Sequence, residues 1–507
     1  MPGYSIVHLC WQDRPWSVHL GASAADFLLD RAVSAGTARQ LIVAPLLDRS
    51  SAPDDLIGSS GRVLYNGATD QTGGQLGTEL ARLESEFHCP VVFGRLTLRD
   101  VSGAVLAPVD LLLLDVAHAN RHYTDICKFK LYDRFGIRSS NFEQDERYEF
   151  AVRFGEPALA AVLGLLRPGA GRRLAVIAHH CLALPAALML ACHGDASIRC
   201  VYRPGMTSGS RHAAGRSDEA LLHDAGHTLE RAACRLEQIW LPSEREHAGF
   251  RSSHAEAGAG RVRVVPARVH VEDGAPAGAV PDHAAARGRL VGQLRRWGLP
   301  EVDVVLAGFS AWPGRARDGF AELNVLAAAD GALAAAGRRA VLLLVASRRG
   351  QMPAAAVGRA SAWGWPLGHR ELAVDLLGDE ALLHAAVQVH NLRSLATRVV
   401  LVNQVVLRGD TLGLLGEPGL RPLDIYAGPD GVLHPTADPA LHHARLAWRL
   451  GTPVLLCETA GEGLRWVVGA SDRGAPLDLP WEVGASPSWP EADEAADLSG
   501  ALEGLMA

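Results

Sequence analysis

"GVLHPTADPALHHARLAWRLGTPVLLCETAG", residues 431–461, decides the fold. It opens on a short apolar run, passes Asp438 and Pro439, continues as a helix-like stretch and closes on a second apolar run. Proline is pre-organised for the first helical position, and aspartate is a good N-cap in front of it. Strand, helix and strand in so short a span predict a βαβ unit with parallel strands.

The same alternation runs backwards through the chain. "EVDVVLAGF" from Glu301, "RRAVLLLVA" from Arg338 and "RVVLVNQVVL" from Arg398 read as further strands of this half. Before them lies a Gly/Pro/Ala-rich stretch, "VEDGAPAGAVPDHAAARGR", with the composition of a linker. Earlier still come "YSIVHL" from Tyr4, "QLIVAPL" from Gln40, "CPVVFG" from Cys89, "VDLLLLDV" from Val109 and "RLAVIAHH" from Arg173. "IRCVYR" from Ile198, "QIWLP" from Gln238 and "RVRVVP" from Arg261 complete this half, with "EPALAAVLGLL" and "TLERAACRLEQ" as helices between strands. Apolar strands alternating with helices predict parallel sheets covered on both faces. The expected fold class is therefore α/β, with two doubly wound domains. The domain boundaries are 1–275, a linker at 276–290, and 291–475, with an acidic, Pro-bearing segment at 476–507 that either crosses back or stays loose. Ligands of such sheets sit beyond the carboxyl ends of the strands, here most naturally in a cleft between the halves.

Composition narrows the function classes. The 507 residues are 48% apolar, enough for two large cores. The net charge of −7 argues against a nucleic-acid surface. No apolar run spans a bilayer, and the first residues lack an export signal, so a cytoplasmic protein is expected. The 8 cysteines form no C-x-x-C pair, and several lie in strand-like runs where Cys acts as a small hydrophobe. Neither zinc spacing nor a D-x-D pair is present, so no metal is expected.

The order of blocks resembles the glycogen synthases of the fungal and animal type, which are retaining GT-B glycosyltransferases. "VVFGRLTL", "LLLLDVAHAN" and "FEQDERYEFAVRFGEPALAAVL" follow the order of that family's N-terminal domain. "HTLERAACRLEQIWLPSEREH" is the most specific block; "DEALLHAAVQVHNL" and the opening stretch match the C-terminal domain. The resemblance implies two Rossmann-like domains facing a cleft, and transfer from a nucleotide-activated donor. It also carries site residues over. His179, with His180 after it, stands where the family places a His beside the reacting sugar. A satisfied histidine at a strand end is the plainer alternative. Arg315 and Arg317 lie in the turn whose family counterpart clamps the diphosphate, although strict register puts Trp312 and Asp318 at the clamping positions. Solvated surface arginines compete with that reading. Arg211 matches a family arginine of the N-terminal domain. Asp145 matches a family acid on the acceptor side, or simply caps a helix.

The departures shape the chemistry that the resemblance implies. The family's Gly-Gly turn is replaced near Pro15 and Trp16, so this loop shapes the acceptor side differently or packs Trp16 into the core. Of two family glutamates around the donor helix, Asp438 holds the first position and Leu446 the second. Pro439 is kept, and a helix starting there offers N–H groups and its positive dipole end to a phosphate. His442 and His443 replace residues that touch the nucleotide. This altered motif is most similar to the glycogen-synthase-like pseudo-glycosyltransferase of acarbose-type aminocyclitol biosynthesis. That resemblance implies transfer of a valienol-type cyclitol from a nucleoside diphosphate to the nitrogen of an amino sugar or oligosaccharide, with retained configuration. GDP is favoured as the nucleotide over UDP or ADP, no cofactor or metal is needed, and no nucleic acid or membrane takes part; homo-oligomerisation stays open. Two alternatives stay open: an ordinary retaining nucleotide-sugar glycosyltransferase acting on an α-glucan, and a silent sugar-nucleotide or glycan-binding partner.

Overall fold

The computed structural model describes residues 4–11, 39–47, 57, 61–99, 105–168, 172–204, 207–208, 224–241, 244–258, 260–265, 282–296, 299, 302–310, 320–346, 379–403, 424–435, 447, 452, 454–460, 463–468 and 505–506. The chain is α/β, with two mostly parallel sheets.

The first sheet has 9 strands, β1 (Tyr4–Leu9), β2 (Arg39–Pro45), β3 (Gly61–Tyr65), β4 (Val91–Arg99), β5 (Val105–Leu114), β6 (Arg173–Ala178), β7 (Ile198–Tyr202), β8 (Gln238–Leu241) and β9 (Val262–Val264), in the order β3-β4-β5-β2-β1-β6-β7-β8-β9. From β5 to β9 neighbouring strands run parallel; β3, β4 and β5 pair antiparallel. The apolar runs in β1, β2 and β6 are buried along almost their whole length, as a sheet covered on both faces requires. α1 (Gly74–Phe87), α2 (Arg121–Phe135), α3 (Glu146–Leu166), α4 (Leu184–Cys192) and α5 (Ala225–Ala233) share one large core with the sheet; α6 (Glu244–Ser253) adds Phe250 to it. Each fully buried aliphatic or aromatic side chain there contributes about 1.5–3 kcal/mol.

α3 shows how sequence sets an element. The Asp145 carboxylate accepts from the N–H groups of Arg147 and Tyr148, and Glu146 and Glu149 lie in the first turn, where the helix dipole favours anions. The helix ends at Arg167 with φ 47°, a left-handed cap. Tyr148, Phe154 and Leu159 face the core, and Trp11, just past β1, packs edge-on against Phe150 and Phe154.

The second sheet has 6 strands in the order β12-β11-β10-β13-β14-β15: β10 (Val304–Ser310), β11 (Ala340–Ala346), β12 (Thr397–Asn403), β13 (Gly431–Pro435), β14 (Val454–Ala460) and β15 (Gly463–Val468). Only β15 is antiparallel to its neighbour. α8 (Phe320–Ala335) and α9 (Asp379–Arg393) cover one face through Leu323, Leu326 and Leu383. α7 (His283–Arg296) and α10 (Asp424–Ala427) cover the other through Leu290, Leu294 and Ile425. Arg289 forks onto the buried Asp424 at 2.8 and 2.6 Å, tying α7 to α10. Asp330 on α8 accepts from the N–H groups of Leu395, Ala396 and Thr397, which sets the entry to β12.

Two features differ from the sequence reading, and a third falls on an alternative it left open. β3 and β15 are antiparallel additions at sheet edges, in runs too short and mixed to register as strands. The stretch read as a linker is helical from His283 onward, because Ala286, Leu290 and Leu294 recur at helical spacing and bury against the second sheet. Leu505 and Met506 join Tyr4, Ile6, Ile177 and Trp240 on one face of the first sheet, and Arg173 donates to the Met506 carbonyl. Among the described residues, no helix is long and apolar enough to cross a membrane.

Candidate functional site

In the first sheet the chain builds outward from β1 to β2 on one side, then returns to the other side of β1 with β6. The strand order reverses between β1 and β6, and doubly wound sheets open a crevice beyond the carboxyl ends at such a point. A cluster of buried polar side chains sits there. Side chains alternate along a strand, so Ile6 and His8 share one face of β1, Ile177 and His179 the same face at β6, and Val201 and Arg203 the same face at β7. On all three strands an apolar face turns polar at its carboxyl end.

The geometry is tight. His8 Nδ1 lies 3.0 Å from His179 Nε2, and the rings stack with centroids 5.2 Å apart. His8 Nε2 lies 3.0 Å from Gln40 Oε1 on β2. The His179 backbone N–H donates to the Leu9 carbonyl, and the Arg203 N–H to the Ala178 carbonyl, so both residues continue the ladder past the strand ends. The amide oxygen of Gln40 can only accept, which places the His8 proton on Nε2. His8 Nδ1 is then an acceptor, His179 donates from Nε2, and His179 Nδ1 carries a lone pair. Burial lowers the His8 pKa to about 4; the Gln40 hydrogen bond opposes this and the Arg203 charge adds to it. Burial, then His8 and Arg203, hold His179 well below its usual range. Both imidazoles are therefore neutral near pH 7, and the chain Gln40–His8–His179 is a fixed array of dipoles. His180 turns away: its Nδ1 accepts from the Leu182 N–H and caps the turn leading into α4.

A second buried cluster stands beside the first, behind β7. Glu230 on α5 accepts from the Tyr202 hydroxyl at 2.8 Å and the Ser208 N–H at 2.8 Å, and also from the Ser208 hydroxyl. Glu246 on α6 accepts from the Thr207 N–H at 2.9 Å and the Thr207 hydroxyl at 2.7 Å. Two carboxylates thus grip adjacent residues of the segment that leads on to Arg211. This explains the acid within "HTLERAA": Glu230 ties α5 to Tyr202 and Ser208.

Of the residues expected from sequence, His179 lies in the switch-point cluster. Asp145 caps α3 and borders an open depression lined by Asn141, Phe142, Gln144, Glu146 and Arg147. Trp16, Arg211, Trp312, Arg315, Arg317, Asp438, Pro439, His442 and His443 lie outside the described residues. The strand order of the second sheet reverses between β10 and β13. Trp312, Arg315 and Arg317 follow β10 in the chain, and Asp438, Pro439, His442 and His443 follow β13. The buried Glu322 of α8 packs close to Gly308 of β10, where an added Cβ would stand 3.3 Å from its Cγ. Sequence reasoning passed over His8, Gln40 and Arg203. For His8 and Arg203 the signal was present, a polar residue two places after a buried apolar one near the carboxyl end of a strand; Gln40, at the start of β2, carries no such signal.

No family model matches the chain, and no curated protein matches it. Among solved structures, the chain is similar to an alpha,alpha-trehalose-phosphate synthase (UDP-forming) from Burkholderia vietnamiensis, at 12% identity and TM-score 0.42, covering 89% of this chain and 90% of that one. It is similar to an E. coli structure described as trehalose-6-phosphate bound with UDP-2-fluoro glucose, at 11% identity and TM-score 0.43, covering 88% and 90%. A UDP-glucosyltransferase from Polygonum tinctorium is similar at 11% identity and TM-score 0.36, covering 90% and 80%.

Proposed function

We propose that this chain is a transferase that uses a nucleoside-diphosphate-activated donor, and that the donor is a valienol-type cyclitol transferred to the nitrogen of an amino sugar. The observation that carries the reading is the neutral Gln40–His8–His179 array at the first switch point. Breaking the bond from the cyclitol carbon to the diphosphate leaves positive charge on the ring and negative charge on the leaving group. A protonated imidazole beside that carbon would oppose the ring charge. A neutral His179, held in one orientation by His8, orients a ring hydroxyl without that cost.

The new C–N bond forms on the face the diphosphate leaves, which retains configuration. The amine proton passes to the departing phosphate oxygen. The cation is allylic, spread over a C=C bond, and the neutral amine is a strong nucleophile. Both reduce the need for the carboxylate pair that Asp438 and Leu446 replace. In this reading Asp438 holds a cyclitol hydroxyl. Arg315, Arg317 and the amides following Pro439 neutralise the diphosphate. Trp312, Arg211, His442 and His443 line the donor, with Trp16 and Asp145 on the acceptor side.

The test has a binding arm and a turnover arm. GDP at a hundred times its dissociation constant stabilises the protein by about 2.7 kcal/mol. GDP-valienol with an amino-sugar acceptor releases GDP and gives a C–N-linked product, whereas a nucleotide glucose with maltodextrin gives none. Transfer of glucose to maltodextrin would replace this reading with an α-glucan transferase. Nucleotide binding without turnover of any donor would make the chain a silent partner.

A further inference from the structure

Cys234, His254 and Glu256 offer Sγ, a ring nitrogen and a carboxylate oxygen that lie within 4.8 Å of one another. Cys234 closes α5, and His254 and Glu256 follow α6, so two helix ends meet at this point. Cys234 and His254 are buried, and Glu256 is exposed at the rim.

His254 is the unusual member. It is 0% exposed, and among the described residues neither ring nitrogen has a hydrogen-bond partner. A buried polar group left in that state costs about 1–3 kcal/mol. Its ring is clamped between His227, stacked at 4.6 Å, and Phe250, also at 4.6 Å. His254 Nε2 faces Glu230 Oε2 at 3.6 Å, beyond hydrogen-bond reach. A carboxylate behind one ring nitrogen is the usual support for a histidine that binds a metal through the other. Nδ1 is then the nitrogen left to face Cys234 and Glu256.

We propose that Cys234, His254 and Glu256 bind a zinc-class divalent cation that fastens the end of α5 to the end of α6. One thiolate, one imidazole and one carboxylate form a donor set suited to Zn²⁺, with a water in the fourth position. Tetrahedral bonds of about 2.0–2.3 Å put ligand atoms about 3.3–3.8 Å apart, so the set closes by about 1 Å on binding. The exposed side chain of Glu256 supplies that movement. The cation would steady α5 and α6, which carry the carboxylates of Glu230 and Glu246 that grip Thr207 and Ser208.

The experiment uses the full chain with a tag free of histidine. After incubation with Zn²⁺ and dialysis, mass spectrometry of the metal should find one equivalent bound. Co²⁺ in place of Zn²⁺ should give a thiolate-to-cobalt charge-transfer band that Cys234→Ser abolishes. Glu256→Gln changes an exposed residue and leaves folding intact; it should weaken cobalt binding about tenfold or more. No retained zinc together with no cobalt band would overturn the proposal. So would a band that survives Cys234→Ser, or cobalt affinity unchanged in Glu256→Gln.

Discussion

Acid should unfold this protein partly through His8. Its pKa in the folded chain is about 4, against about 6.5 for a free histidine. The unfolded chain therefore takes up the proton first as pH falls. Stability from the neutral imidazole is complete above about pH 6.5 and is lost progressively down to about pH 4. Integrating the linkage from pH 7.5 to pH 5 gives a loss of about 2 kcal/mol from His8 alone. His179 is lowered in the same direction and adds to the loss. The structural cause is direct. Protonating His8 Nδ1 sets an N–H against the Nε2–H of His179 and breaks a 3.0 Å contact. Replacing His8 with Gln keeps a polar group near Gln40 and removes the titration. Urea unfolding at pH 7.5 and 5, followed by tryptophan fluorescence, should show the wild type losing about 2 kcal/mol more than His8→Gln. Spectra of ¹⁵N-histidine-labelled protein should show both imidazoles neutral at pH 5.5, with the His8 proton on Nε2. Equal pH dependence in the two proteins, or either imidazole titrating near 6.5, would refute the reasoning.

Glu230→Gln leaves either Tyr202 or Ser208 without its acceptor in a buried site and should cost about 2 kcal/mol, read as a lower thermal midpoint with loosened proteolytic protection around Ser208. Asp330→Ala strips the acceptor from the N–H groups of Leu395, Ala396 and Thr397 and should cost about 2 kcal/mol, with faster amide exchange at those residues. Gly428→Ala would place a Cβ 2.7 Å from the Asp424 carbonyl oxygen and 2.9 Å from the Ala286 carbonyl carbon, both backbone. α7 and α10 must then separate, and a loss of about 1–3 kcal/mol should appear in denaturant unfolding. Arg315→Ala and Arg317→Ala should each weaken GDP binding about tenfold by calorimetry, and unchanged affinity would remove both from the diphosphate site.

Much of the fold was legible because both sheets bury both faces. A strand buried on two sides must be apolar throughout, and runs such as "RLAVIA" and "RAVLLLVA" admit few other readings. β3, "GRVLY", escaped because an edge strand needs only part of its surface covered, and Arg62 and Leu64 are not fully buried. The helix at His283 escaped because alanine and arginine dominate it, leaving a stripe of Ala286, Leu290 and Leu294 inside a sequence that reads as spacer. The trio Cys234, His254 and Glu256 escaped for a topological reason. Its members come together only when two helices end side by side, and short-range cysteine spacing carries no trace of that.

The candidate site divides along the same line. His179 follows the apolar run of β6 directly, whereas His8 lies within β1, between Val7 and Leu9. Register relates the two. β1 pairs His8 with Ile177 on β6 and with Ile42 on β2, so His8 stands one level below His179 on the same face. Gln40 and Arg203 fall on that face too, by the period of two along β2 and past β7. A single polar residue at a strand end is ordinary. Three neighbouring strands turning polar at one end of one face is not what a structural core requires, since each group must be desolvated and then satisfied. The fold bears that cost where the strand order reverses between β1 and β6, the kind of point at which doubly wound sheets open a crevice at the carboxyl ends of their strands.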